Sequence, residues 1–299
     1  MASNLWPAVS GTVAQAQLVD TVANNLANMD TQGFKKDLPT FKEYLSVLER
    51  HNGVSDIPRG PIKDKDLYPL DGRDQSFVLV DATYSDFKQG GLKVTQSPHD
   101  LALDGPGLFE VSTPAGPRFT RSGSFKVTAD GLLVTTQGYP VLSALPAGQV
   151  PAQPAEAAVQ LSQGGQMTQG GVAAGQEDPN LIARYINLRD RTQPLSISES
   201  GEVYSGDQLV GKLSVVEFAD PKKLRKAENQ MFVNTDSANV SLNPVRTSVR
   251  QGMIEMSNVN PVEEMSNLIK AHRSFEHGLK AIKAYDEMMG KEVNDIGKL

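Results

Sequence analysis

The chain begins and ends on stripes of apolar residues spaced by alternating threes and fours. Leu5, Val9, Thr12, Ala16, Val19, Ala23 and Leu26 form the first. Met265, Leu268, His272, Phe275, Leu279, Ile282, Asp286, Met289, Val293 and Ile296 form the second. Such spacing keeps one seam of a helix turned toward a partner helix, and it predicts helices over about 5–28 and from Pro261 onward. The stretch between them lacks this period. Short β-forming runs separated by turn residues predict strands over 101–103, 107–113, 118–120, 124–128 and 132–136, then 184–188, 195–197, 203–204 and 212–218. Pro114-Ala115-Gly116-Pro117 and Ala129-Asp130-Gly131 read as turns. The expected fold class is α+β: long N- and C-terminal helices pairing as a coiled coil, with a central, mainly antiparallel β domain.

Local signals set the expected boundaries. Asn28, Thr31 and Gly33 offer turn chemistry and a left-handed position to stop the first helix. Residues 34–50 restart an amphipathic pattern through Phe41, Tyr44, Leu45 and Leu48, so 1–50 reads as an N-terminal helix and turn. Gly, Pro and Asp crowd the next stretch, and 51–95 reads as an extended linker. A β domain is expected over 96–245, within which 143–180 is poor in bulky apolar groups and reads as loop or weak edge strand. The segment 246–299 is assigned to the C-terminal helix. Asn260 is placed to cap it, Pro261 fits its first position, and Glu263 completes a capping box. Glu263 and Glu264 near its start and Lys291 and Lys298 near its end suit the helix dipole. Continuous to the end, this helix would be about 58 Å long.

The first seam is made mostly of small residues. At ~25 cal/mol per Å2 they return little on burial, whereas ordering each residue costs ~1–2 kcal/mol of backbone entropy. The helix is therefore expected to be marginal alone and to order when other chains surround it. His272 and Asp286 interrupt the second seam. Either they select register, or they stay wet while Ile269 and Ala281 carry part of the contact. Asn is a weak helix former, so the run Asn24, Asn25, Asn28 needs a reason. Asn28 is expected to end the helix, and the amides of Asn24 and Asn25 to bond sideways to neighbouring backbone.

Composition removes several function classes. A net charge of -6 without a Lys/Arg run gives no footprint for a nucleic-acid backbone. With 0 cysteines there is no disulfide, thiolate nucleophile or Cys-based metal site. No charge precedes Asp20 and no apolar block forms an h-region, so no cleaved signal peptide is expected. No window reaches the ~18 consecutive apolar residues of a membrane span. Gly206, Gly211 and Lys212 imitate a phosphate loop, but Leu213 stands where Ser or Thr should hold magnesium and Asp207 would face the phosphates. A hairpin turn is the better reading. His51, His99, His272 and His277 are scattered, and no metal box follows. His99, Asp100, Ser122 and Ser124 lack a nucleophile elbow, and Asp64-Lys65-Asp66 lacks the other ligands of a calcium loop. The chain is expected to be no enzyme and to need no cofactor or metal.

Three blocks carry a specific resemblance. Ala23-Asn24-Asn25-Leu26-Ala27-Asn28-Met29-Asp30-Thr31-Gln32-Gly33-Phe34-Lys35 is the first. The second comprises Asp100-Leu101-Ala102-Leu103, Gly105, Gly107-Leu108-Phe109, Thr113-Pro114-Ala115-Gly116, Phe119-Thr120-Arg121, Gly123, Phe125, Gly131-Leu132-Leu133-Val134-Thr135 and Gly138. Gln251-Gly252, Glu255, Ser257-Asn258-Val259-Asn260, Glu263-Glu264-Met265, Arg273, Phe275-Glu276 and Asp286-Glu287-Met288 make up the third. Together they resemble the bacterial flagellar rod and hook axial proteins. The closing stretch Ala284-Tyr285-Asp286-Glu287-Met288-Met289-Gly290-Lys291, with Val293-Asn294 and Ile296-Gly297, looks most like the proximal-rod members, and the distal rod is the near alternative. The resemblance implies a non-enzymatic subunit of the basal-body rod, exported by the flagellar type III apparatus without a cleaved signal, located in the periplasmic rod, and polymerising with copies of itself and other rod proteins to transmit torque. It places the assembly interface on the terminal segments: Leu5, Val9, Ala16, Val19, Ala23, Asn24, Asn25, Leu26, Asn28, Gly33 and Phe34, with Met265, Leu268, Phe275, Leu279, Ile282, Met289, Val293 and Ile296.

Overall fold

The computed structural model describes residues 6–46, 75–144, 179–188, 194–241 and 246–296. Helix α1 spans Trp6–Ala27, followed by strands β1 (Asp37–Ser46) and β2 (Gln75–Ser85). Next come β3 (Leu92–Val94), β4 (Leu101–Asp104), β5 (Leu108–Thr113), β6 (Gly116–Thr120), β7 (Phe125–Val127) and β8 (Leu133–Thr135). A single turn of helix, α2 (Pro179–Ile182), precedes β9 (Leu195–Ile197), β10 (Glu202–Ser205), β11 (Gln208–Lys212) and β12 (Val215–Phe218). Then follow β13 (Leu224–Lys226), β14 (Met231–Asn234), β15 (Val240–Ser241), β16 (Ser248–Gln251) and β17 (Met253–Glu255), before the long helix α3 (Pro261–Ile296). The class is α+β with mainly antiparallel sheets, as expected.

The chain divides into two units. One gathers residues 1–27, 37–84 and 260–299, and the other 28–36 and 85–259. In the second, a six-stranded sheet runs β13-β14-β6-β5-β12-β15, and a three-stranded one runs β11-β10-β9. Short pairs β16-β4, β17-β3 and β7-β8 complete it. The main core gathers Leu101, Leu103, Phe109, Val111, Phe125, Leu133, Val141, Val203 and Val249, all buried. A second cluster holds Leu108, Phe119, Val216, Phe218, Leu224 and Phe232, with the Phe119 and Phe218 rings edge to face at 4.9 Å between centroids.

Helix ends follow local chemistry. Asn260 Oδ1 accepts from the Val262 amide at 3.1 Å and Pro261 opens α3, so the expected cap is present. At 36 residues, α3 is about 54 Å long. Helix α1 stops at Ala27; Asn28 then accepts from Thr31 through both its carbonyl and its side chain, and Gly33 adopts φ 69°. That left-handed turn was legible from Asn28, Thr31 and Gly33. A Cβ at position 33 would also stand 2.5 Å from the Ser122 amide nitrogen, so glycine is required twice over.

Several strands lie where local pattern pointed elsewhere. Residues 37–46, read as an amphipathic restart, are β1, and the C-terminal part of the expected 51–95 linker carries β2 and β3. Their pairing partners lie well along the chain: β1, ending at Ser46, pairs β2, starting at Gln75, and β3 pairs β17, Val94 opposite Met253. No local period encodes such a partner. Residues 248–255, placed with the C-terminal helix, are β16 and β17, whose register puts Val249 opposite Leu103. Conversely, 184–188 forms only isolated bridges, Tyr185 to Leu142 and Asn187 to Leu132. Within 143–180, Ser143 bridges Leu213 and Pro179 begins α2, and 145–178 lies outside the described residues.

Candidate assembly surface

Helix α3 lies against α1, and the stripe that it buries can be followed residue by residue. Glu264, Leu268, Ala271, Phe275, Gly278, Ile282, Tyr285 and Met289, all buried or half-buried, make a run of alternating fours and threes. Leu268, Phe275, Ile282 and Met289 were in the expected seam. The alternate positions fall one residue earlier than expected: Ala271 is buried and Gly278 half-buried, whereas His272 and Leu279 are exposed. Close approach explains the offset. A Cβ on Gly278 would sit 2.5 Å from Thr12 Oγ1, so at this point α1 meets α3 where α3 has no side chain.

Four of the apolar residues that this contact leaves out form a second stripe, while Met288, also exposed, stands apart from it. Val262 is 74% exposed, Ile269 55% and Met265 48%, and Leu279 continues the line at 39%. One residue corresponds to about 100° of helix rotation, so this stripe lies beside the first and not opposite to it. His272 and Glu276 occupy its middle, both exposed, with Nε2 and Oε1 3.4 Å apart. His272 and Asp286 therefore lie on the solvent side of α3 in the single chain. Ile269 and Ala281, the suggested substitutes, are exposed as well.

On α1, Thr12, Ala14, Val22 and Asn25 are buried, and Val9, Ala16, Val19 and Leu26 are half-buried. Ala23 and Asn24 are exposed. Leu5 lies outside the described residues, as do the side chains of Val293 and Ile296. Asn25 forms the sideways bonds expected of it. Its Nδ2 donates to the Asp37 carbonyl and its Oδ1 accepts from the Asp37 amide, both at 2.9 Å, so one side chain pairs the backbone at the start of β1 as another strand would. Trp6, Val9, Val13 and Ala14 of α1 line an open groove of about 360 Å3 with Phe77 and Leu79 of β2. Trp6, Val13 and Leu79 are exposed at its rim.

Gly33 and Phe34, grouped above with the assembly residues, are buried inside the β unit. Phe34 carries the Lys226 ammonium 4.3 Å above its ring. Beside it is an ionic cluster that sequence reasoning did not find. Lys35 Nζ reaches Glu255 Oε1 at 2.7 Å and the Lys88 carbonyl at 2.6 Å. Arg121 binds Glu255 Oε2 through Nε and the carbonyls of Leu103, Gly105 and Gly107 through its other nitrogens. All three charged side chains are buried. Burial pushes the Lys35 pKa down, and the Glu255 carboxylate opposes that shift. A second buried pair joins Arg184 bidentately to Glu110, whose Oε2 also accepts from Ser214 Oγ at 2.6 Å.

The candidates for chemistry resolve simply. Gly206 and Asp207 form the tight turn between β10 and β11, with Ser205 opposite Gln208, so the phosphate-loop imitation is a hairpin. Ser124 Oγ donates to Asp100 Oδ1 at 3.2 Å, while His99 offers its carbonyl to the Phe125 amide. No group of three or more His, Asp or Glu side chains that could hold a metal occurs among the described residues. Among those residues, no helix is long and apolar enough to cross a membrane.

Comparison with known proteins places matches on the same three parts of the chain. Residues 7–35 match the family described as flagella basal body rod protein, 102–205 the flagellar hook protein FlgE/F/G D1 domain, and 250–296 the flagellar basal body rod FlgEFG protein C-terminal family. The flagellar basal-body rod protein FlgG of Borreliella burgdorferi is 30% identical, over 96% of this chain and 96% of its own. FlgF of Caulobacter vibrioides is 29% identical over 100% of both chains. FlgG of Bacillus subtilis is 27% identical over 98% of this chain and 99% of its own.

Proposed function

The chain belongs to the flagellar basal-body rod protein family, and from that premise we propose that its terminal helices pair as a coiled coil and join those of neighbouring copies and of other rod proteins, so that the polymer carries torque. It is a structural protein of the bacterial flagellum. The observation that supports this mode of assembly is the pair of adjacent stripes on α3. One is covered by α1, and the other, Val262, Met265, Ile269 and Leu279, faces solvent in a single chain. A helix with two contact stripes suits a wall of helices better than a lone hairpin. The polar pair His272 and Glu276 in the second stripe would set register between subunits, at some cost in affinity.

The same reading includes export through the flagellar type III apparatus without signal cleavage, a periplasmic position, and no catalytic role. The closing stretch Ala284–Gly297 supports a place in the proximal rod, with the distal rod as the second reading. The test is Met265→Glu with Ile269→Lys, which keeps α3 helical through a favourable pair four residues apart and puts charge in the middle of the greasy stripe. The purified variant is expected to show wild-type helix content, and cells carrying it to make basal bodies from which it is missing. Normal incorporation and swimming would remove the stripe from the interface.

A further inference from the structure

The chain passes from one unit to the other at 27/28, 36/37, 84/85 and 259/260. On the β-unit side of these passages are three segments: 28–36, the run from Ser85, and the run ending at Val259. They are laced together by two side chains. Glu255 takes the Lys35 ammonium and the Gly90 amide on Oε1, at 2.7 and 2.8 Å, and the Arg121 guanidinium on Oε2. Its backbone carbonyl also accepts from the Gly33 amide at 2.8 Å. Three residues on, Asn258 Oδ1 accepts from the Lys36 amide at 2.8 Å, and its Nδ2 donates to the carbonyls of Asp86 and Lys88 at 2.8 and 3.2 Å. The Lys36 carbonyl in turn accepts from the Asp86 amide at 2.7 Å, and Gly91 accepts from the Met256 amide at 2.9 Å.

We propose that Glu255 and Asn258 form a latch that binds these three segments into one collar, which opens and closes as a single cooperative unit, separately from the β core. Each segment bonds to the other two, so freeing any one of them leaves unsatisfied groups in the rest, and a buried carboxylate held by two cations penalises partial opening most. The β core has its own hydrogen bonds, and its main apolar cluster contains none of the collar residues; only Phe87 of the collar packs on the second cluster, its ring 4.8 Å from that of Phe232. Arg121 carries the ionic link between them, anchored on β-unit carbonyls by its other nitrogens, and Gln89 adds a bond from its Nε2 to the Leu103 carbonyl at 3.3 Å. Acidic and basic groups facing the latch are Asp86, Lys88, Lys35 and Arg121. This holds whether or not the outer stripe of α3 is an assembly surface, because every atom involved lies in the β unit.

Amide hydrogen exchange on the full-length protein tests it. In the wild type the amides of Gly33, Lys36, Asp86, Gly90 and Met256 are expected to share one opening equilibrium and one denaturant dependence, distinct from those of Ser112, Val141 and Leu142 in the core. Glu255→Gln preserves shape and removes the charge that pairs both cations. It should lower protection of all five collar amides together, by about a hundredfold or more, and leave the three core amides unchanged. Loss at Gly90 alone, or an equal loss in collar and core, would overturn the proposal. Should Glu255→Gln fail to fold, Asn258→Ala removes the other half of the lacing without stranding a charge, and the same five amides must respond together.

Discussion

Lys35 is the residue whose position is hardest to read from its neighbours in the chain. It sits among turn residues after a helix, yet its ammonium is buried 220 residues away in sequence, against Glu255. Burial lowers its pKa below the ordinary 10.5. Below the lowered value Lys35 is charged both folded and unfolded, and the cost of burying that charge is fully present. Between the lowered value and 10.5 the unfolded chain holds a proton that the folded one has released, so stability rises with pH across this window and levels off above it. Chemical denaturation from neutral pH up to the Lys window is expected to show the wild type gaining on Lys35→Met; parallel curves for the two proteins would contradict the assignment. Asn25 differs in kind. Its amide was suspect from sequence because Asn in a helix needs a reason, and the reason is the doubly bonded backbone of Asp37.

At the scale of elements, apolar spacing marked four positions of the stripe that α3 buries and passed over its small members. Leu268, Phe275, Ile282 and Met289 stand out because they are large and greasy. Ala271 and Gly278 do not, because two helices approach closely where side chains are small, and a hydrophobicity pattern prefers the bulkier neighbours His272 and Leu279 as spacing markers. Strand identity was legible beside clear turn residues: β5 and β6 flank Pro114-Ala115, and β7 and β8 flank Ala129–Gly131, whereas the β13–β14 hairpin was not among the expected strands. Strands β1, β2, β3, β16 and β17 depend on partners far along the chain, and no window contains both. The close contact gives a prediction at this scale. Gly278→Ala should gain up to ~1 kcal/mol in helix propensity and lose ~1–3 kcal/mol to overpacking against Thr12, for a net loss. Thr12→Ala combined with Gly278→Ala should restore most of it, as thermal unfolding of the four proteins in a double-mutant cycle will show; an additive result would mean that the two residues do not meet.

For the whole molecule, helix α1 is formed and lies on α3 within its own chain. Greasy surface remains after that contact, at Trp6, Val13, Val262 and Ile269, so company from other chains is still called for. Removing residues 1–27 is expected to abolish incorporation into the rod while the β unit keeps its cooperative melting transition, because both of its apolar clusters are built from residues 87–249. Rods of normal length from that truncated protein would contradict the assembly scheme, and loss of the melting transition would contradict the independence of the core. Family membership was readable from the three blocks because they hold turn, collar and seam residues together, whereas the roles of Lys35, Arg121 and Glu255 appear only once the fold has gathered them. The two helices also differ in length: 22 residues against 36, or about 33 Å against about 54 Å. The longer one overhangs its companion by some four turns, roughly 21 Å. Helix α1 can flank no more than its own length of α3, so whatever lies beside the remaining turns of the longer helix comes from another part of this chain or from another chain.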